Sequence, residues 1–184
     1  FVMTETGNHA KVALRALEAG KHVISTKPMD ACVAGCDAMI RKARETGRLL
    51  AVDFSRRFSP SLLTLKAAVG QGVFGRILSG NMQLKILRTM DYFRSNGGWR
   101  GTLALDGGGV FSNQCIHHID QAVFALGTPK KVRCDIWTQT HDIEAEDLGT
   151  AVWLYENGAA FTIQATSSYP QKTWFYQFEI TGDQ

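Results

Sequence analysis

Three side chains in this 184-residue sequence are of the types and spacing that handle a hydroxyl proton: Lys27, Asn113 and His117. Lys27 sits in Ser25-Thr26-Lys27-Pro28-Met29, just past a short apolar run, His22 to Ser25, that reads as a buried strand. The carboxyl end of such a strand is the edge at which open α/β sheets bind their ligands. Pro28 fixes its own φ and biases Lys27 toward extended backbone, so the amine is expected to be held in one direction. A solvated loop lysine is the competing reading.

Asn113 and His117 follow the run Asp106-Gly107-Gly108-Gly109. Read as a helix, this segment aligns Phe111, Cys115, His118, Ala122 and Leu126 on one core-facing stripe. It places Asn113, His117 and Asp120 within about 60° of one another on the opposite face. An imidazole and an amide four residues apart can accept a proton and orient a hydroxyl. His118, on the apolar stripe, is expected to be packed. Successive glycines indicate that a ligand or another backbone comes close; a sharp turn before a solvated polar face explains them equally well.

Further candidates carry less information. His9 opens a helix beside the Thr4-Glu5-Thr6 loop, either facing a ligand or as part of a cap. Arg100, after Trp99, could hold a phosphate or carboxylate bidentately or form a surface ion pair. His141, among Asp142, Glu144, Glu146 and Asp147, reads as part of a solvated acidic loop, its spacing too irregular for a metal site.

The elements that must position these groups change rhythm along the chain. Phe1-Val2-Met3 reads as a strand, followed by a helix from about His9 to Ala19, the strand ending at Ser25, a helix from about Ala31 to Thr46, and a strand from Leu49 to Phe54. Strand and helix in alternation mean a parallel sheet with covered faces. A boundary is expected at residues 55 to 60, giving domains 1–56 and 57–184. Pro60 opens a helix to about Val69, and Arg76 to Ile86 reads as a long strand. Leu87 to Gly109 is irregular and long enough to suggest a functional loop. Strands follow at Lys131–Thr138, Leu148–Tyr155, Ala159–Ser167 and Trp174–Thr181, with Asn157-Gly158 as a hairpin turn. The fold class is α/β: part of a Rossmann sheet, then an α+β domain with an open, mostly antiparallel sheet.

Composition narrows the function classes. Hydrophobic residues at 45% and charged residues at 20% are those of a globular domain. A net charge of +3, from scattered basic residues, leaves no nucleic-acid footprint. No apolar run approaches the roughly 18 residues of a membrane span, so the cytoplasm is the default compartment. Cys32, Cys36, Cys115 and Cys134 contain no C-x-x-C pair and are expected to be buried free thiols.

At these residues the chain resembles the glucose-fructose oxidoreductase, inositol dehydrogenase and rhizopine-catabolism family, Gfo/Idh/MocA. The resemblance runs through Thr4-Glu5-Thr6-Gly7-Asn8-His9, Ala19-Gly20-Lys21-His22-Val23, Thr26-Lys27-Pro28, Arg57-Phe58-Ser59-Pro60, Gly72-Val73-Phe74-Gly75, Trp99-Arg100-Gly101, the glycine run with His117-His118-Ile119-Asp120, and Glu156-Asn157-Gly158-Ala159. It implies an oxidoreductase transferring hydride between NAD or NADP and a secondary hydroxyl of a small polyhydroxylated substrate: a sugar, nucleotide sugar or inositol. Lys27, Asn113 and His117 match the family's catalytic positions. Thr4, Glu5, Thr6, His9, Lys27, Pro28 and Arg100 match cofactor contacts, Arg100 alternatively contacting substrate. A homodimer or homotetramer through the second sheet is implied as well.

The chain departs from the family pattern at three places. Thr26 replaces the Glu of the Glu-Lys-Pro motif, removing a carboxylate beside Lys27. Asn113 cannot take up a proton, which leaves His117 as the base on that helix. The opening strands and the G-x-G-x-x-G phosphate loop are absent, as of an internal piece of a longer protein. The alternatives are a truncated sugar-binding or oligomerisation module and a lyase or glycosidase of the same family that uses NAD transiently.

Overall fold

The computed structural model describes residues 1–184. Its first layer is half of a doubly wound unit. Helix α1 (His9–Glu18) buries His9, Ala13 and Leu17 at spacings of four, and strand β1 (Val23–Thr26) follows it. Helix α2 (Val33–Thr46) starts at Cys32, whose sulfur accepts from the Gly35 N–H. It stops at Gly47, which takes the left-handed φ of +64° common at helix ends. Strand β2 (Leu50–Asp53) lies parallel to β1, pairing Val23 with Leu50 and Thr26 with Asp53. Val2 adds a single parallel bridge to Ser25 in place of a full strand. Val2, Ala13, Leu17, Val23, Met39 and Ala43 form one small core between sheet and helices.

A 3-10 turn, Ser55–Phe58, leads into helix α3 (Pro60–Gly70), with proline at its first position, where no amide donor is needed. The second sheet has the order β4-β5-β6-β3-β7, from β3 (Ile77–Lys85), β4 (Lys131–Trp137), β5 (Leu148–Leu154), β6 (Ala160–Thr166) and β7 (Phe175–Gly182). It is mostly antiparallel, as expected, with one exception: β3 runs parallel to β6. The β5–β6 hairpin turns at Asn157-Gly158, Gly158 having φ of +85°.

On one sheet face, Met82, Leu84, Ala151, Trp153, Phe161, Ile163 and Ala165 pack with Val110, Cys115 and Ala122 of the segment leading into and forming helix α5 (Ile116–Leu126). The expected stripe of Phe111, Cys115, His118, Ala122 and Leu126 thus faces this core or its margin. All seven residues of β4 are exposed at the sheet edge. The cysteines are all free, but only Cys115 is buried; Cys32 and Cys134 are exposed, against the expectation of buried thiols. No helix is long and apolar enough to cross a membrane.

The segment Leu87–Gly109 is less irregular than its composition suggests, containing helix α4 (Met90–Arg94) and a 3-10 turn, Asn96–Gly98. Asp120 departs from the expected polar face. It is 8% exposed and accepts from Arg57 Nε at 2.8 Å and Nη2 at 2.5 Å. The cause is Arg57, in the 3-10 turn that links the two layers, which covers the Asp120 carboxylate. Ahead of α5 the segment Val110–Gln114 forms a π-turn, with Cys115 N–H donating to the Val110 carbonyl at 2.7 Å.

Candidate active site

Lys27 leaves the carboxyl end of β1, and its Nζ crosses to the π-turn. There it donates to the Asn113 carbonyl at 2.6 Å and to Asn113 Oδ1 at 3.3 Å. The Lys27–Pro28 peptide bond is cis. Residues 86 apart in sequence thus meet where the two layers join. Burial pulls the Lys27 amine below its ordinary range, and the Arg56 charge adds to this, while Asp106 opposes it.

Around this pair lies a cleft of about 210 Å³ lined by Thr4, Thr6, His9, Thr26, Lys27, Pro28, Tyr92, Trp99, Arg100 and Asn113. His9 is 1% exposed; its Nδ1 stands 2.9 Å from the Pro28 carbonyl and its Nε2 3.0 Å from that of Thr4, so the ring ties the two loops together. Glu5 does not line the cleft: its carboxylate accepts from Asn8 Nδ2 at 3.0 Å. The Arg100 guanidinium lies over the rings of Tyr92 at 4.8 Å and Trp99 at 4.9 Å and donates to Ser95 Oγ. Its planar fork keeps further donors for an anion or hydroxyl.

His117, four residues beyond Asn113, is not among the residues lining this cleft; its ring is edge-on to Phe54 at 6.3 Å between centroids and feels the Lys27 charge. Burial, with the Lys27 and Arg56 charges, pushes its pKa down to about 4, so the imidazole is neutral at pH 7 and free to accept a proton. Its Nδ1 is buried without a partner. His118 is the packed histidine expected. It is 2% exposed, its Nε2 accepts from Arg56 at 2.8 Å, and burial and the Arg56 charge depress its pKa to about 3.

The glycine run brings another backbone close. A Cβ at Gly107 would collide with Ala31, and one at Gly109 with the Glu146 backbone. Glu146 also accepts from the Gly109 and Phe111 amides at 2.8 and 2.9 Å. The acidic loop is solvated only in part: Asp142 and Glu144 are exposed, whereas Glu146 is 8% exposed and Asp147 fully buried. Asp147 accepts from the Gln139, Thr140 and His141 amides and from the Thr140 hydroxyl, and His141 spans its carboxylate and the Arg88 carbonyl. The expectation holds for the first two acids and fails for the last two, because a run of acids and polar residues looks alike whether it faces water or its own backbone.

Two residues of the site, Tyr92 on the cleft wall and Asp106 bonded to Asn113 outside its lining, are not found by motif reading. Tyr92 comes from the short helix inside the irregular segment. Asp106 is 2% exposed, accepting from Gly101 N–H and Asn113 Nδ2. Its only sequence signal is an aspartate at the head of a glycine run.

Comparison with known proteins agrees with this geometry. Residues 1–54 match the model of the oxidoreductase family with an NAD-binding Rossmann fold, and residues 62–184 match the GFO/IDH/MocA C-terminal domain. The WlbA dehydrogenase of Bordetella pertussis, solved with NADH and UDP-GlcNAcA, superposes with a TM-score of 0.94 at 32% identity over 99% of this chain and 52% of that one. Among curated relatives, the scyllo-inositol 2-dehydrogenase (NADP(+)) IolW of Bacillus subtilis is 30% identical over 80% of this chain and 40% of that protein. Levoglucosan dehydrogenase of Pseudarthrobacter phenanthrenivorans is 26% identical over 98% of this chain and 52% of that protein. The chain therefore spans about half the length, or less, of these relatives. With both of its layers matched in order, the chain belongs to the Gfo/Idh/MocA family of NAD-binding oxidoreductases.

Proposed function

We propose that the protein containing this chain is an NAD(P)-dependent dehydrogenase acting on a secondary hydroxyl of a sugar, with nucleotide sugars as the favoured class. The observation that carries this reading is the convergence of Lys27 Nζ on Asn113 at the carboxyl edge of β1, in a cleft with aromatic and guanidinium walls. The fit of the cofactor's nicotinamide end rests on the donor set. Thr4 and Thr6 bring hydroxyl groups and Pro28 a backbone carbonyl to the loops after the parallel strands, where dinucleotides bind, and His9 holds those two loops together. When bound there, the nicotinamide supplies the hydride acceptor.

The chain's own residues handle the proton and the substrate. Lys27 donates to the substrate oxygen and stabilises negative charge as it develops, an interaction strongest in the transition state. His117, neutral at pH 7, takes the hydroxyl proton. Asn113 orients a neighbouring hydroxyl, and Arg100 with Tyr92 and Trp99 binds an anionic or ring portion of the substrate. The tilt toward nucleotide sugars rests on this arginine and on the likeness to a dehydrogenase solved with UDP-GlcNAcA. The placement in the cytoplasm and assembly through the second sheet belong to the same proposal.

The test is a fluorescence titration of NADH and NADPH into the full-length protein and its Lys27→Ala variant. Binding that weakens in the variant supports the oxidoreductase reading. Absence of binding by the folded wild type overturns it in favour of a binding module, and turnover with no net change in NADH absorbance would favour the lyase alternative.

A further inference from the structure

We propose that Asp106 is the anionic partner of Lys27 and acts through Asn113, a positioning role that rests on the active-site reading above. Thr26 removes the carboxylate that would otherwise stand next to Lys27 in sequence. No ion pair takes its place directly, since Lys27 donates only to the carbonyl and amide oxygens of Asn113.

The nearest link to a carboxylate runs through that amide. Asn113 Nδ2 donates to Asp106 Oδ1 at 2.8 Å, and Asp106 Oδ2 accepts from the Gly101 N–H at 2.9 Å. The direction of the array is determined by its ends. An ammonium can only donate and a carboxylate can only accept, so the amide between them must turn Oδ1 to Lys27 and Nδ2 to Asp106. The reverse orientation would set donor against donor at one end and acceptor against acceptor at the other. Asp106 is 2% exposed, so its charge is poorly screened by water and acts on Lys27 over the length of one amide. The field of Asp106 on Lys27 opposes the desolvation that favours the neutral amine; burial likewise raises the Asp106 pKa, against which the Gly101 and Asn113 hydrogen bonds and the Lys27 and Arg100 charges favour the carboxylate. The same contact leaves Asn113 a single orientation to offer substrate.

This account makes the two side chains exchangeable as a pair. In the double variant Asp106→Asn/Asn113→Asp, residue 106 can still accept from Gly101 through its amide oxygen and now donate to residue 113, whose carboxylate faces Lys27. All hydrogen bonds and the total charge are kept. Each single variant breaks the array: Asp106→Asn removes the charge, and Asn113→Asp sets two carboxylates against each other.

The experiment follows the titration of the Lys27 amine by NMR in the full-length protein carrying labelled lysine, with Lys27→Ala giving the assignment. It compares wild type, both single variants and the double, with kcat/KM against pH recorded alongside. The expected result is a fall in the Lys27 pKa in Asp106→Asn, return to the wild-type value or above in the double, and kcat/KM lowered about 10- to 100-fold in Asp106→Asn.

A Lys27 titration unmoved in Asp106→Asn overturns the pairing, as does a double variant no better than the worse single. If Asp106→Asn alone does not fold, the double carries the test: folding with a wild-type Lys27 titration supports the pairing, and a double that also fails to fold overturns it. Since the NMR readout needs no turnover, a titration that follows the cycle in a protein without dehydrogenase activity upholds the pairing while the functional reading falls.

Discussion

The cleft around Lys27 and the loop around Asp147 are built from nearly the same parts: a buried carboxylate, a nearby histidine, neighbouring arginines and threonines. They differ in how fully those parts are used. Asp147 gathers three backbone amides, a hydroxyl and the His141 ring, and is held well below the usual carboxylate range, at about 2, by those hydrogen bonds despite burial. Around Lys27 the accounting stays open. Arg100 makes one hydrogen bond and two stacking contacts, His117 keeps a buried nitrogen without a partner, and burial depresses the amine. A carboxylate whose acceptors are all matched internally is a clasp, even though Arg88 Nε and Ser167 Oγ beside it are buried without partners; a cleft whose guanidinium and imidazole keep free groups is equipped to receive a substrate.

Substitutions can sharpen this contrast or break it. The largest effect is expected for Lys27→Ala, a loss of about 10³-fold in kcat with melting temperature nearly unchanged, as for removal of a group acting on the reacting oxygen. Steady-state kinetics and thermal melts on the same samples check it. A variant that instead loses stability and keeps turnover would make Lys27 a structural residue.

Asp147→Asn should do the reverse. It leaves buried donors with a poorer acceptor and is expected to cost about 2–3 kcal/mol in denaturant unfolding, with NADH affinity unchanged. Because the folded pKa lies below the unfolded value, the stability owed to ionised Asp147 is fully present above about pH 4 and is lost as pH falls toward about 2. The gap between wild type and variant should therefore narrow across that window.

His117→Asn is expected to lower kcat about 10²-fold while sparing the fold. The depressed pKa adds a pH signature. Activity of the wild type that depends on neutral His117 should persist below the ordinary histidine range and fall only as pH nears about 4. A pH profile of kcat/KM with an acid limb near 6.5, the usual histidine value, would contradict this.

The smallest effect is expected at Arg57, whose bidentate bond to Asp120 ties the linking turn to α5. Arg57→Ala strands a buried carboxylate, but the arginine side chain is 42% exposed, so a loss of about 1–2 kcal/mol is expected in the same unfolding assay.

Much of this was legible in sequence where physics is local. The stripe Phe111-Cys115-His118-Ala122 announces the buried face of α5, the periodicity after His9 announces α1, Asn157-Gly158 announces its hairpin, and Lys27 follows a strand that is buried on one face only, Ile24 being 39% exposed. What stayed hidden depends on partners distant in the chain. Asp106 acquires its meaning from Asn113 and Lys27, the latter 79 positions upstream, and Tyr92 from the fold of a segment without periodicity. The π-turn leaves no mark in composition, and the partner that takes Asp120 off the polar face, Arg57, is 63 positions upstream. In the acidic loop Asp142 and Glu144 are exposed as expected, but the burial of Glu146 and Asp147 was missed because charge pattern does not reveal which backbone amides will surround a carboxylate.

The central claim, that the open cleft works as a dehydrogenase site and the closed cluster does not, is tested most directly by reduction of NAD or NADP by the full-length protein. The assay follows NADH or NADPH absorbance with UDP-GlcNAcA and with simple sugars and inositols as probes, comparing wild type, Lys27→Ala and Asp147→Asn at a temperature where all three remain folded. The account predicts net reduction with at least one probe by wild type and Asp147→Asn, and its loss in Lys27→Ala. Equal turnover by wild type and Lys27→Ala, or its loss only in Asp147→Asn, would contradict it.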